Sequence, residues 1–118
     1  MTSFGPYPAQ VVNVHDGDTV VLNIDLGFDH LISGRDWNGK TRLSCRVFGI
    51  NAPELWTDTG KVAATFAQDL LPVGSLCTVS SHGWDAYGGR FDGDITLPDG
   101  SDFATRMVDS GNAVRKTY

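Results

Sequence analysis

The sequence predicts a mainly β, α+β fold: a small five-stranded Greek-key barrel with one helix between its third and fourth strands and a short helix near the C-terminus. Three observations carry this reading. Short β-branched runs recur along the chain, separated by turns rich in Gly, Asp, Asn and Pro. One alanine-rich stretch near the middle has helical rather than strand spacing. The 118 residues, 41% hydrophobic and 19% charged, suit a single domain with one modest core.

Residues 11–26, VVNVHDGDTVVLNIDL, read as a hairpin, because two β-branched runs flank an Asp-Gly turn. Residues 1–9 are expected as an N-terminal arm. Residues 27–41 are rich in Gly, Asp, Ser and Asn and read as a loop or a frayed approach to a third strand, which is expected over 42–50, RLSCRVFGI. A helix is predicted from about Thr59 to Leu71, with Val62, Phe66 and Leu70 at helical spacing and Ala63 and Ala67 beside them. Thr59 or Asp58 can cap its start, and Pro72 followed by Gly74 ends it. Residues 75–80 make a fourth strand, and 90–97 a fifth, ending in the turn Pro98-Asp99-Gly100. A short second helix follows, capped by Ser101 or Asp102, with Phe103, Ala104, Met107 and Val108 on its apolar face and Gly111 at C′. This order suits the OB-fold, which commonly binds nucleic acid on one face.

Bulk properties narrow the function. Nine Lys+Arg against 14 Asp+Glu give a formal charge of −5, which argues against tight nucleic-acid binding through bulk charge. A local arginine pair with a metal can still bind phosphate in an acidic protein. No apolar run is long enough to cross a membrane, and the N-terminus has neither a basic segment nor an apolar one of the secretory kind, so a cytoplasmic monomer is expected. Cys45 and Cys77 sit in apolar strand-like runs without CxxC spacing and read as buried free thiols; a disulfide or thiol chemistry is the alternative.

The run Arg46-Val-Phe-Gly-Ile-Asn51-Ala52-Pro53-Glu54 carries the most chemistry. It delivers an arginine, an oxygen ligand and a carboxylate at a proline-stiffened strand end. An acidic turn lies upstream, Asp16-Gly17-Asp18-Thr19, and a second arginine downstream, in Asp85-Ala-Tyr87-Gly-Gly-Arg90. Carboxylates, an amide and two arginines suit the joint binding of a hard cation and a phosphodiester while water attacks phosphorus.

These pieces, VVNVHDGDTVVL, RVFGINAPE, DAYGGR and PDGSDFATRMVDSGNA, resemble in order and spacing the staphylococcal (thermo)nuclease family, over roughly residues 10–115. The resemblance implies an OB-fold and calcium-dependent hydrolysis of DNA and RNA phosphodiesters, leaving 3′-phosphates. It also implies a compact member lacking the family's C-terminal helix. Asp18 matches a calcium ligand and Ala52 a carbonyl ligand. Asn51 falls at a ligand position where familiar members carry Asp, so the ion should bind more weakly, and Mn²⁺ or Mg²⁺ become alternatives to Ca²⁺. Glu54 matches the proposed general base, and Arg46 and Arg90 the phosphate-binding arginines. Tyr87 matches a substrate-contacting tyrosine.

Simpler roles stand beside each of these. Asp16 and Asp18 can make a turn, Asn51 can cap one, and Glu54 can sit at a helix start. Either arginine can serve a structural ion pair, and Tyr87 can pack. Trp56, two residues after Glu54, is the best tryptophan for substrate contact, whereas His15, His30 and His82 read as surface or structural groups. The competing functional readings are a catalytically weakened OB-fold module that binds nucleic acid or protein, and a subunit of a larger assembly.

Overall fold

A computed structural model describes residues 3–35, 38–40, 43–84 and 90–116. Its elements are β1 (Phe4–Asp16), β2 (Thr19–Asp25), β3 (Leu31–Ile32), β4 (Ser44–Val47), β5 (Ile50–Asn51), α1 (Asp58–Leu70), β6 (Leu76–Trp84), β7 (Arg90–Thr96), α2 (Phe103–Asp109) and β8 (Val114–Arg115). Strands β1, β6, β7, β4 and β2 neighbour one another in that order, and β2 pairs back to β1, which closes a five-stranded barrel. Every pairing in the ring is antiparallel except β4 with β7. A closed barrel with one parallel seam and a helix between its third and fourth strands is the OB-type architecture expected.

Closure requires β1 to serve two partners. Ala9 faces Ile24 of β2 on one side and Cys77 of β6 on the other. Register shifts between Val11 and Asn13 and between Val14 and Asp16 bend the strand enough to do both. Phe4–Ala9, expected as an arm, are therefore the first part of β1. Inward-facing Val11, Val20, Leu22, Cys45, Val47, Val79 and Ile95 fill the barrel; β7 alternates buried with half-buried residues, whereas β4 and the first part of β2 are buried on both faces.

The helices close the barrel with Ala63, Ala67, Phe103 and Met107, all fully buried. The start of α1 is shifted from expectation: Thr57 is the cap, its Oγ1 accepting the Gly60 N–H at 3.0 Å. Its buried face also differs, for Gly60, Ala63, Ala64 and Ala67 point inward while Val62 is 63% exposed. Small residues win because the helix lies close to the hairpin turn. A Cβ on Gly17 would sit 2.6 Å from Ala52 Cβ, 3.0 Å from the Met107 methyl and 3.3 Å from Ala63 Cβ. Asp102 caps α2 by accepting the Thr105 N–H at 3.1 Å, and Gly111 follows it at positive φ, as expected.

The strand expected over 42–50 is interrupted. β4 ends at Val47, a turn occupies Phe48 and Gly49, and β5 resumes at Ile50 to pair with β8. Cys45 and Cys77 are both buried and both free thiols. Among the described residues no helix is long and apolar enough to cross a membrane.

Candidate active site

One polar cleft of about 460 Å³ is lined by Asp16, Asp18, Thr19, Arg46, Asn51, Ala52, Pro53, Glu54 and Arg90. These residues come from the β1–β2 turn, β4, the end of β5 with the segment leading to α1, and the start of β7. Six of the residues singled out from the sequence (Asp18, Arg46, Asn51, Ala52, Glu54 and Arg90) therefore meet in one place. Trp56 is not part of the lining; it stands 80% exposed just beyond Glu54. Tyr87 lies outside the described residues.

The parallel seam places the arginines. Ser44 pairs with Arg90 and Arg46 with Asp92, so both guanidinium-bearing positions lie on adjacent strands and on the outer face of the barrel. Arg46 is nine-tenths buried despite its charge. The interruption at Phe48–Gly49 explains how. The turn folds the chain around the guanidinium, and Nη1 donates to the carbonyls of Val47 and Ile50, each at 2.8 Å. Nη2 donates to Asn51 Oδ1 at 2.5 Å and lies 3.5 Å from Asp18 Oδ2. An arginine has five N–H donors, and these bonds use three. Nη2 has Asp18 Oδ2 as a second, longer-range partner, no bond from Nε–H is seen among the described residues, and the side chain lines the cleft.

Asp18 ties the turn to the strand end. Its Oδ2 accepts the Ala52 N–H at 2.9 Å, and its Oδ1 accepts the Thr19 hydroxyl at 3.3 Å. Asp16 makes the turn expected of it, Oδ1 accepting the Asp18 N–H at 3.1 Å, yet it also lines the cleft. Burial pushes the Asp18 carboxyl up to about 6, and hydrogen bonding and like charge from Asp16 push the same way; the Ala52 N–H and Arg46 oppose them without winning. Asp18 is therefore a half-buried carboxylate with too little positive charge around it.

That imbalance bears on a cation. The available donors, Asp18, Asp16, Asn51 Oδ1 and the Ala52 carbonyl, are all oxygen, which suits Ca²⁺ rather than a softer metal. Among the described residues no group of three or more His, Cys, Asp or Glu is gathered to hold a metal. The donor set thus fits a hard cation held weakly, with water or a phosphate oxygen completing its shell.

Glu54 is exposed at the cleft edge, and its backbone is fixed. Its carbonyl accepts the Thr57 N–H at 3.0 Å and the Thr57 hydroxyl at 2.7 Å. Gly60 presses against the same carbonyl so closely that a Cβ there would fall well inside van der Waals contact. The sequence reading missed Gly60. The available signal was a glycine in the first turn of an otherwise strong helix former, where it costs about 1 kcal/mol without a reason for being there. His82 proves structural: its Nε2 lies 2.7 Å from Asp94 Oδ2 and its ring stacks on Phe48 with centroids 4.5 Å apart, bracing the turn that wraps Arg46. His15 and His30 are exposed.

Comparison with models of known protein families and with curated proteins gives no match. The geometry of the cleft therefore carries the functional argument.

Proposed function

We propose that the protein is a metal-dependent nuclease that hydrolyses phosphodiester bonds of DNA or RNA, with Ca²⁺ the first candidate ion. The observation that carries this reading is the convergence of Asp18, Arg46, Asn51, Ala52, Glu54 and Arg90 on one polar cleft. The 3′-phosphate product rests on the resemblance alone.

A bound cation would neutralise charge on a phosphate oxygen, with Asp18 and the Ala52 carbonyl as its nearest donors. Arg46 offers Nε–H and the cleft-facing edge of its guanidinium to the phosphate, and its other bonds hold the group ready without reorganisation. Arg90 approaches from the neighbouring strand. Glu54, exposed to solvent beside both, accepts a proton from the attacking water. The new bond joins the water oxygen to phosphorus, the P–O5′ bond breaks, and the departing 5′-oxygen takes a proton from solvent. Trp56, exposed next to Glu54, supplies a surface on which a base can stack.

A second reading has one observation in its favour. Asn51 brings no charge to the cleft and its Oδ1 is already bonded to Arg46, which fits a weakened OB-fold module that binds nucleic acid without cutting it. Plasmid DNA incubated with the protein in Ca²⁺, in Mg²⁺ and in chelator, beside Glu54→Gln, separates the two. Metal-dependent cleavage lost in the variant supports the nuclease. Intact DNA in every lane, from a protein shown to be folded, favours the binding module.

A further inference from the structure

We propose that Asn51 is a positioning residue for Arg46 rather than a ligand of the cation; this rests on the nuclease reading. Arg46 is anchored at Nη1 by the Val47 and Ile50 carbonyls, and among the described residues Nη2 has only the 3.5 Å ion pair with Asp18 besides its bond to Asn51. The Asn51 amide oxygen holds it, at 2.5 Å from Nη2. The amide has to present oxygen and not nitrogen there, because its NH₂ would face a donor.

That bond also removes the oxygen from the cation. The same neutral atom would have to sit between a guanidinium and a divalent ion, with no charge of its own to offset their repulsion. An aspartate could satisfy both, since its carboxylate has two oxygens and a full negative charge. Asn51 thus keeps the arginine aimed while surrendering the ligand. Asp18 Oδ2 forms a longer ion pair with the same Nη2, at 3.5 Å, while also accepting the Ala52 N–H, so the amide makes the shorter of the two contacts to that nitrogen.

The test has two readouts, neither of them activity. Side-chain ¹⁵N spectra of the metal-free protein follow the Arg46 N–H groups, with Arg46→Lys identifying their signals. Calorimetric titration with Ca²⁺ follows the cation. In Asn51→Leu the Arg46 signals should broaden or average while Ca²⁺ affinity stays within about twofold of the parent, and in Asn51→Asp the signals should persist while affinity rises by about tenfold or more. Asn51→Ala repeats the measurement if leucine disturbs the strand end. Unchanged Arg46 signals in Asn51→Leu would overturn the assignment, as would a loss of Ca²⁺ affinity of about tenfold or more. If the parent binds no Ca²⁺, the nuclease reading falls separately, and the Arg46 spectra alone uphold or overturn the role of Asn51.

Discussion

Asp18 Oδ2 accepts a hydrogen bond from the Ala52 backbone N–H at 2.9 Å, joining a hairpin turn to a strand end 34 residues further along the chain. This N–H and Arg46 both favour the charged carboxylate, yet burial outweighs them.

Stability should consequently depend on pH through Asp18. Its folded value of about 6 exceeds the ordinary 3.8, so the native state holds this proton more tightly than the unfolded chain does. The associated stability is full below about pH 4 and is lost as pH rises through about 6. The gap corresponds to about 3 kcal/mol at most, and solvent screening of a partly exposed carboxylate brings it to about 1–2 kcal/mol. Urea midpoints of the metal-free protein between pH 4 and 7 should show this fall, and Asp18→Asn should flatten it. Adding Ca²⁺ at pH 7 should recover stability in the parent and not in the variant.

Arg46→Ala should cost more activity than stability. Leaving the Val47 and Ile50 carbonyls without their donor costs about 1–3 kcal/mol. Losing a preorganised clamp on the transition state should lower kcat/KM by about 10²–10³-fold or more. Denaturation and plasmid-cleavage assays on the same preparation measure both. Arg46→Lys should recover little activity, because an ammonium cannot hold three protein acceptors and still present a fork.

Gly60→Ala should disturb Glu54 through its carbonyl. The methyl has nowhere to go without displacing the backbone that aims the carboxylate, so a loss of about 1–3 kcal/mol in stability and a fall in kcat are expected together. Ala64→Gly, in the same helix, should cost about 1 kcal/mol and leave kcat alone. Thermal melts paired with steady-state kinetics distinguish the two variants.

Neither thiol should react in the native state. Burial pushes the Cys77 thiol up to about 11 and Cys45 higher still, so almost no thiolate exists near pH 8. A chromogenic disulfide reagent should label neither in buffer and both in urea; rapid labelling of either under native conditions would contradict their burial.

Much of the barrel was legible because its signals are local. The Asp16-Gly17 turn between β-branched runs, the alternation from Arg90 to Thr96, and Gly111 after α2 each declare themselves within a few residues. The joint role of Arg46, Glu54 and Asp18 is read first from their residue types at a strand end and an acidic turn, and the resemblance then names each role. What escaped was set by distant partners. The first residues of β1 are a strand because β6 lies beside them, and the small-residue face of α1 turns inward because Ala63 packs close to Gly17 and Ala52, leaving Phe66 at the margin of the core and Val62 exposed. Thr59 and Asp58 are the caps expected for α1, yet the cap is Thr57, whose hydroxyl accepts the Gly60 N–H. The bond from Arg46 to Asn51 left no trace in the sequence, for nothing in an exposed Asn at a strand end announces a buried arginine as its partner.

The parallel seam has a consequence for the time at which the cleft comes into being. β4 and β7 carry the two arginines, and they become neighbours only when α1 and β6 between them have been made and folded back. Pairings between strands so distant in sequence form late, since the chain must first lose the entropy of closing the intervening loop. A chain still emerging from the ribosome, or one cut within α1 or β6, therefore holds Asp18, Arg46 and Glu54 without Arg90 beside them. On the proposed function, phosphate binding by both arginines would therefore report on completed folding, and a half-made chain would lack the second arginine of the cleft.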